Sequence, residues 1–479
     1  MSEIFLYNRY KNTPPELNVW CAFPAVYSFG MSALGFLKVF QMIDETQGIA
    51  AERIFTDTQK TYLQYKDIDL IAFSFSFEFD YTGVLDIFKK YNIPFLSSER
   101  EETHPLILGG GPVLTANPAP FAAFFDFIVS GDAEPCLKQV LDLLKNNKNL
   151  PRRKKLELLS CIDGVYIPAS AEKQPFGAKR QTAVLSECTA SPVLTEKSFF
   201  PNTYIMEIAR GCPESCRFCL TSYINAPVRF APYENIIEKI DLGIKYTNKL
   251  ALLGASVCSH PKIDDICRYI SAKSAEKQLE VSVSSLRADK ASDAMLEMLY
   301  LCGRKSATIA VEAGSERLRT AIGKRLKKED IMNFADKLAR HGLNGLKIYG
   351  MTGLPSETYA DIDEFIDLCR EIKQKHKTLN IIPSFSSFVP KAQTPFQQAP
   401  REDTKSLEKK HEYIKKEFAK IGIKARTSSA KWDFIQSLLS LGGAELTPYL
   451  IKVYETGASL GAYKSVYKDF EKKNLFSLQ

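Results

Sequence analysis

The 479-residue chain sets 63 Lys and Arg against 56 Asp and Glu, a formal net charge of +7, and is 45% hydrophobic and 25% charged. At roughly 150 residues per domain the length allows two or three domains, and the balance of an ordinary globular protein excludes disorder, collagen and coiled coil. The mild positive surplus allows a phosphate-rich partner without indicating one.

Met1 to Tyr10, with Glu3 and Arg9, reads as neither a signal nor a transit peptide. No apolar stretch nears the roughly 18 residues of a membrane-spanning helix, so the expected location is cytoplasmic. In that compartment thiols stay reduced, and 11 Cys are many for disulfides; some are candidate ligands.

Short apolar runs alternate with helical stretches from Asn18 to about Gly131. Strands are expected at Asn18 to Val26, Asp69 to Phe77, Pro105 to Leu108 and Phe127 to Val129, with helices at Met31 to Ile43 and around Thr82 to Tyr91. Continuous apolar strands between helices imply a parallel sheet covered on both faces. Residues 1–150 are therefore expected to form a doubly wound, Rossmann-like α/β domain. Residues 151–200, with the basic run Arg152 to Lys155 and then Lys173, Pro175, Gly177, Lys179 and Arg180, read as a linker of short extended pieces with a solvated surface.

Alternation resumes at Asn202. Strands are expected at Tyr204 to Ala209, Leu250 to Leu253, Leu279 to Ser284, Ala307 to Val311, Gly345 to Tyr349 and Ile381 to Phe388, with helices of suitable length between them. Residues 201–400 thus fit a partial (β/α)6 TIM-like barrel, whose chemistry belongs at the C-terminal ends of the strands. Beyond Arg401, amphipathic stretches at Lys405 to Ala419 and Lys431 to Leu441 predict a small helical C-terminal region over 401–479.

The strongest chemical signal is Arg210-Gly211-Cys212-Pro213-Glu214-Ser215-Cys216-Arg217-Phe218-Cys219, a Cys-x3-Cys-x2-Cys cluster just after the first barrel strand. Three thiolates on one loop can each take an iron of a [4Fe–4S] cube and leave the fourth iron open to an outside ligand. The competing reading is structural zinc, which needs four ligands, and the next Cys and His are Cys258 and His260, a full βα unit away. Cys21, Cys267, Cys302 and Cys369 sit in apolar patterns as core residues, and Cys136, Cys161 and Cys188 lack ligand spacing. The five His form no metal-like pair.

At these residues the sequence resembles the radical S-adenosylmethionine (SAM) superfamily. That resemblance implies Cys212, Cys216 and Cys219 as cluster ligands, with Phe218 beside SAM. Further along, Ser282 to Arg287 resembles the strand that brings polar groups to the SAM methionine moiety, implicating Ser284 and Arg287. Val311 to Arg319 resembles the fourth-strand motif that packs on SAM, with Glu312 at its ribose or sulfonium side. Lys347 to Thr358 resembles a fifth-strand motif shared with methylthiotransferase-like members. In the turn after the second barrel strand the family's acid is missing from Gly254-Ala255-Ser256-Val257, so the backbone or Ser256 is expected to receive the SAM amino group.

The first domain resembles the cobalamin-binding domain that precedes many radical SAM barrels. Gly30, Ser74 with Ser76, and Gly109, Gly110 and Gly111 stand at the corresponding element ends, while Tyr27 replaces the His that would be the lower ligand of cobalt. Any bound cobalamin is then expected to have neither its own base nor a protein His below its metal, with its nucleotide tail in the crevice bounded by Gly30, Ser74 and Gly109 to Gly111. Ser386 to Phe396 and Trp432 to Phe470 resemble the same positions of an uncharacterised group of such proteins.

Together these resemblances imply an anaerobic enzyme that cleaves SAM reductively with a [4Fe–4S] cluster and uses cobalamin to methylate an unreactive carbon or phosphorus. They also imply an electron donor such as flavodoxin or ferredoxin. The alternatives are a methylthiotransferase-like or other tRNA- or protein-modifying radical SAM enzyme without cobalamin, and a non-catalytic cobalamin- or SAM-sensing protein. No substrate motif is legible.

Overall fold

The computed structural model describes residues 3–9, 14–170 and 179–472. It divides into two compact units, one of Met1–Val184, Ser191–Asn202 and Leu438–Gln479, the other of Leu185–Ala190 and Thr203–Ser437.

The first unit is built on strands β1 (Leu17–Phe23), β2 (Ile49–Phe55), β3 (Leu70–Ser74), β4 (Leu106–Gly110), β5 (Phe127–Val129) and β6 (Val165–Tyr166). They lie in the order β2-β1-β3-β4-β5-β6, parallel except for β6. All of β1 except Asn18 is buried, as a strand covered on both faces requires. Helices α1 (Leu34–Asp44), α2 (Tyr81–Lys90) and α3 (Leu137–Asn146) supply the cover. The strand order reverses between β1 and β3, which puts the crevice of a doubly wound sheet at their carboxyl ends.

One strand escaped the sequence pattern. The edge strand β2 carries Glu52 and Arg53 at its centre, and both charges are used locally. Glu52 accepts hydrogen bonds from the Tyr62 and Leu63 amides, and Arg53 pairs with Glu3 while lying 4.6 Å from the Phe40 ring centroid.

The expected linker is ordered structure for part of its length. Arg152–Leu159 forms helix α4, and Arg152 is buried, bonding Asp126, which also receives Arg100. Its buried carboxylate partner lies far away in sequence, so the basic run is not simply a solvated surface. Short extended pieces do follow, at Val165–Tyr166, Thr189–Ala190 and Val193–Leu194. Lys173, Pro175 and Gly177 lie outside the described residues.

In the second unit, β7 (Tyr204–Glu207), β8 (Lys249–Leu253) and β9 (Glu280–Val283) pair in parallel, as do β10 (Ser306–Glu312), β11 (Gly345–Thr352) and β12 (Asn380–Ser387). A parallel bridge between Leu286 and Ile309 links the two sheets. Helices α5 (Tyr233–Gly243), α6 (Ile263–Lys277), α7 (Asp293–Leu301), α8 (Lys328–Arg340) and α9 (Tyr359–Lys375) alternate with them, giving six βα repeats of a partial barrel. Leu250, Leu252, Ile309, Val311, Leu346 and Ile348 are buried, whereas the alternate residues of these strands are half-exposed or exposed and form the barrel lumen.

The C-terminal helices are α10 (Thr404–Lys420), α11 (Ala430–Leu441), α12 (Leu446–Glu455) and α13 (Leu460–Lys472). They do not form a separate third unit. Residues through Ser437 group with the barrel, and those from Leu438 group with the first unit. In the first unit, Asn117 donates to the Ser440 and Gly442 carbonyls, Thr447 to that of Pro120, and the Tyr81 and Tyr463 hydroxyls are 2.7 Å apart.

Candidate active site

The cysteine loop starts where β7 ends. Ala209 and Arg210 pair with Phe230 and Arg229, and Gly211 then turns with φ +80°, pressed so closely on the Asn225 carbonyl that no Cβ fits. Cys219 stands at the N-terminus of the short helix Leu220–Ile224.

Other loops of the barrel hold this segment from several sides. The Arg217 amide donates to the Ile322 carbonyl at 2.9 Å, beyond β10. The Phe396 amide, beyond β12, donates to the Arg217 carbonyl at 3.1 Å. Phe218 packs on Ala313, Leu318, Ile322, Leu354 and Phe388. Glu214 takes Arg287 at 2.9 Å and Lys290, both beyond β9. The loop is thereby fixed at the C-terminal face of the barrel, where this architecture keeps its chemistry.

Cys216 is buried, and Cys212 and Cys219 are partly so. Burial pushes the Cys216 thiol up to about 11, with Lys324 opposing the rise, and also raises Cys212. Among the described residues no three His, Cys, Asp or Glu side chains converge as a single metal ion requires. Structural zinc would need four ligands on one ion, whereas a cube takes each thiolate on a different iron. The donor set fits a [4Fe–4S] cluster with one iron left for an outside ligand.

The residues expected around SAM lie at the same face. Glu312 ends β10 at φ +68°, in the left-handed region that a non-glycine residue occupies only under constraint. Its carboxylate receives Lys324 at 3.1 Å, and both charges act on Cys216. Ser284 donates to the Gly254 carbonyl at 3.0 Å, tying the ends of β8 and β9 together. Ala255 is exposed, and the buried Ser256 hydroxyl is 2.8 Å from that of Ser259.

Arg287 differs from expectation. Its guanidinium bonds Asp289 twice, Glu214 once and the Arg325 carbonyl once, so it braces the cysteine loop with its donors engaged. Glu214, Lys290, Lys324 and Phe396 were not singled out by sequence. Glu214 and Phe396 lie within stretches already noted, but the role of each of the four arises only when distant loops meet.

In the first unit the expected cobalamin residues divide into two groups. The Tyr27 hydroxyl donates to Glu3 at 2.7 Å, its ring packs on Phe55, and burial with the Glu3 charge raises its pKa to about 12. A Cβ at Gly30 would overlap the Phe55 ring, and one at Gly109 would crowd Leu114 and Phe125. These two glycines are therefore accounted for by internal packing. Gly111, at φ +117°, crosses the Phe75 carbonyl. Gly110 has open space beside it, Ser76 is exposed and Ser74 half-exposed. Phe29 and Phe77 are exposed on the loops after β1 and β3. Of the residues expected at cobalamin, Ser74, Ser76 and Gly110 are thus left open, while Tyr27 and Gly30 are engaged within the unit.

Comparison with known proteins agrees with this architecture. The chain is similar to the uncharacterized protein MJ0966 of Methanocaldococcus jannaschii, 28% identical over 435 residues and 90% of each chain. Its fold is similar to that of the cobalamin-dependent S-adenosylmethionine radical enzyme OxsB with aqua-cobalamin and S-adenosylmethionine bound. There the TM-score is 0.60 at 14% identity, covering 95% of this chain and 71% of that one. It is also similar to the radical S-adenosylmethionine methyltransferase TsrM of Kitasatospora setae, with a TM-score of 0.53 at 12% identity, covering 80% of this chain and 74% of that one. The family model described as radical SAM proteins, N-terminal, matches residues 35–168, and that of the radical SAM superfamily matches 206–369. With its cysteine loop at the mouth of a six-stranded barrel and the two radical SAM models together matching more than half its length, the chain belongs to the radical SAM superfamily.

Proposed function

We propose that this radical SAM enzyme cleaves SAM reductively at a [4Fe–4S] cluster held by Cys212, Cys216 and Cys219, and that with cobalamin on the first unit it methylates an unreactive carbon or phosphorus centre. The observation that carries the proposal is the cysteine loop, braced by Glu214 on Arg287 and by the Arg217 amide on Ile322 at the mouth of the barrel. Bound cluster supplies one electron that breaks a sulfonium C–S bond of SAM, giving methionine and a 5′-deoxyadenosyl radical, and bound cobalamin supplies a transferable methyl group.

The chain's own residues do the rest. Glu312 presents a carboxylate beside Cys216, where it can receive the ribose hydroxyls or face the sulfonium, and Lys324 holds it in place. The Gly254 to Ser256 turn offers backbone carbonyls to the SAM amino group in place of the missing acid. Phe218 closes the apolar floor beneath the loop and limits water at the open iron. Ser74, Ser76 and Gly110 would border the cobalamin, whose likeness to the bound cofactor of OxsB and TsrM rests on fold. An external one-electron donor of the flavodoxin or ferredoxin class completes the system. Among the described residues no helix is long and apolar enough to cross a membrane.

The test is anaerobic reconstitution with iron, sulfide and cobalamin, followed by reduction in the presence of SAM. Formation of 5′-deoxyadenosine together with cobalamin uptake supports the whole reading. Formation of 5′-deoxyadenosine without cobalamin uptake overturns the methyl-transfer part and leaves a radical SAM enzyme of the alternative kind, while intact SAM would leave a sensor.

A further inference from the structure

Strand β11 sends Leu346 and Ile348 into the buried core and Lys347, Tyr349 and Met351 toward the lumen. On either side of Lys347 the register places Thr308 of β10 and Ile382 of β12. Ala310 and Ser384 flank Tyr349 in the same way. All four flanking side chains are shorter than the two they flank, so Lys347 and Tyr349 stand clear of the wall.

The Lys347 ammonium donates to the Tyr349 hydroxyl at 3.0 Å and lies 4.6 Å from its ring centroid. Neither partner is a carboxylate, and among the described residues no ion pair involves Lys347. Elsewhere in this unit Lys324 is paired with Glu312, Arg210 with Glu207, and Lys410 with Glu357 and Glu402. Held by a neutral phenol rather than a carboxylate, the ammonium is left for an incoming anion. With its oxygen lone pair engaged by the ammonium, the Tyr349 hydroxyl has its own proton to give, so the two groups form adjacent donors.

Their depth separates this place from the SAM site. Lys347 precedes the end of β11 at Thr352 by five residues, or about 16 Å at 3.3 Å per residue, whereas Phe218 of the cysteine loop packs with Met351 near that end. The SAM carboxylate belongs at the open iron, so the anion at Lys347 is a different one.

We infer that Lys347 and Tyr349 form the substrate anchor of the barrel, binding a carboxylate or phosphate at the end of the substrate remote from the radical. The inference rests on the proposed radical SAM reading and names its substrate class as anionic.

The test uses the reconstituted full chain with SAM and two probes, citrate for a carboxylate and inorganic pyrophosphate for a phosphate, titrated by calorimetry. At least one is expected to bind the wild type, at least tenfold more weakly in Lys347→Met, more weakly in Tyr349→Phe, and with affinity largely kept in Lys347→Arg; the tighter probe identifies the anion class. A second measurement on the wild type alone asks whether the same anion shields the Lys347 amine from reductive methylation. Binding unaltered in Lys347→Met, no binding of either probe, or an unshielded Lys347 would overturn the anchor. Formation of 5′-deoxyadenosine is recorded in the same preparations: its loss with Lys347-dependent anion binding intact overturns the radical reading and not the anchor.

Discussion

Glu214 and Arg287 meet at 2.9 Å and join the cysteine loop to the end of the third barrel strand. Glu214 lies between Cys212 and Cys216, so the pair sets where two of the three thiols stand. Both side chains are largely buried. Replacing Glu214 by Gln, or Arg287 by Met, is expected to cost about 1–3 kcal/mol, below the full cost of a deeply buried pair, and to lower iron bound per chain. Iron analysis with thermal melting checks this; full iron content in both variants would show that the brace is dispensable.

Cys212→Ala, Cys216→Ala and Cys219→Ala should each abolish the broad iron–sulfur absorption and SAM cleavage while leaving the far-ultraviolet circular dichroism unchanged. Cys302→Ala and Cys369→Ala remove buried core thiols and should cost only about 1 kcal/mol of stability. A retained four-iron cluster in the triple variant would sink the ligand assignment.

Glu312→Gln should weaken SAM binding or cleavage several-fold, because it removes the charge that positions Lys324 beside Cys216. Equal SAM affinity and cleavage rate in this variant would make Glu312 a bystander.

The buried His411, 3.0 Å from the Thr352 hydroxyl, has its pKa lowered from 6.5 by burial. Above about pH 6.5 it is neutral in both folded and unfolded chains. As pH falls through that value the unfolded chain takes up the proton first, so stability is lost toward acid. Melting temperatures measured from pH 7.5 to 5.5 should fall less steeply in His411→Gln than in the wild type; parallel curves would remove His411 as a source of acid sensitivity.

Bound cobalamin should show no axial nitrogen from the protein, since Tyr27 stands at that position and its hydroxyl is tied to Glu3. Electron paramagnetic resonance of bound cob(II)inamide, which carries no base of its own, should lack triplet splitting of the cobalt lines, and its presence would refute the assignment.

What was legible in the sequence was what is local. The cysteine spacing, the six apolar barrel strands and the strand at Phe127–Val129 each carry their signal within a few residues. Edge strand β2 hid because Glu52 and Arg53 interrupt its apolar run, and their partners Tyr62, Leu63 and Glu3 are not adjacent. Arg152 looked like surface because its partner Asp126 is buried in another element. Arg287 resembled a SAM contact until the loop carrying Glu214 closed on it. The C-terminal helices read correctly as helices, but no periodicity could tell that Asn117 captures the backbone beyond Leu438.

The most direct test of the central claim is anaerobic turnover of the reconstituted wild-type chain with SAM and a one-electron reductant, read as 5′-deoxyadenosine by chromatography. The account predicts about four iron per chain and 5′-deoxyadenosine formation that disappears in Cys216→Ala. A wild-type chain with a full cluster that leaves SAM intact, or a Cys216→Ala chain that still produces 5′-deoxyadenosine, would contradict it.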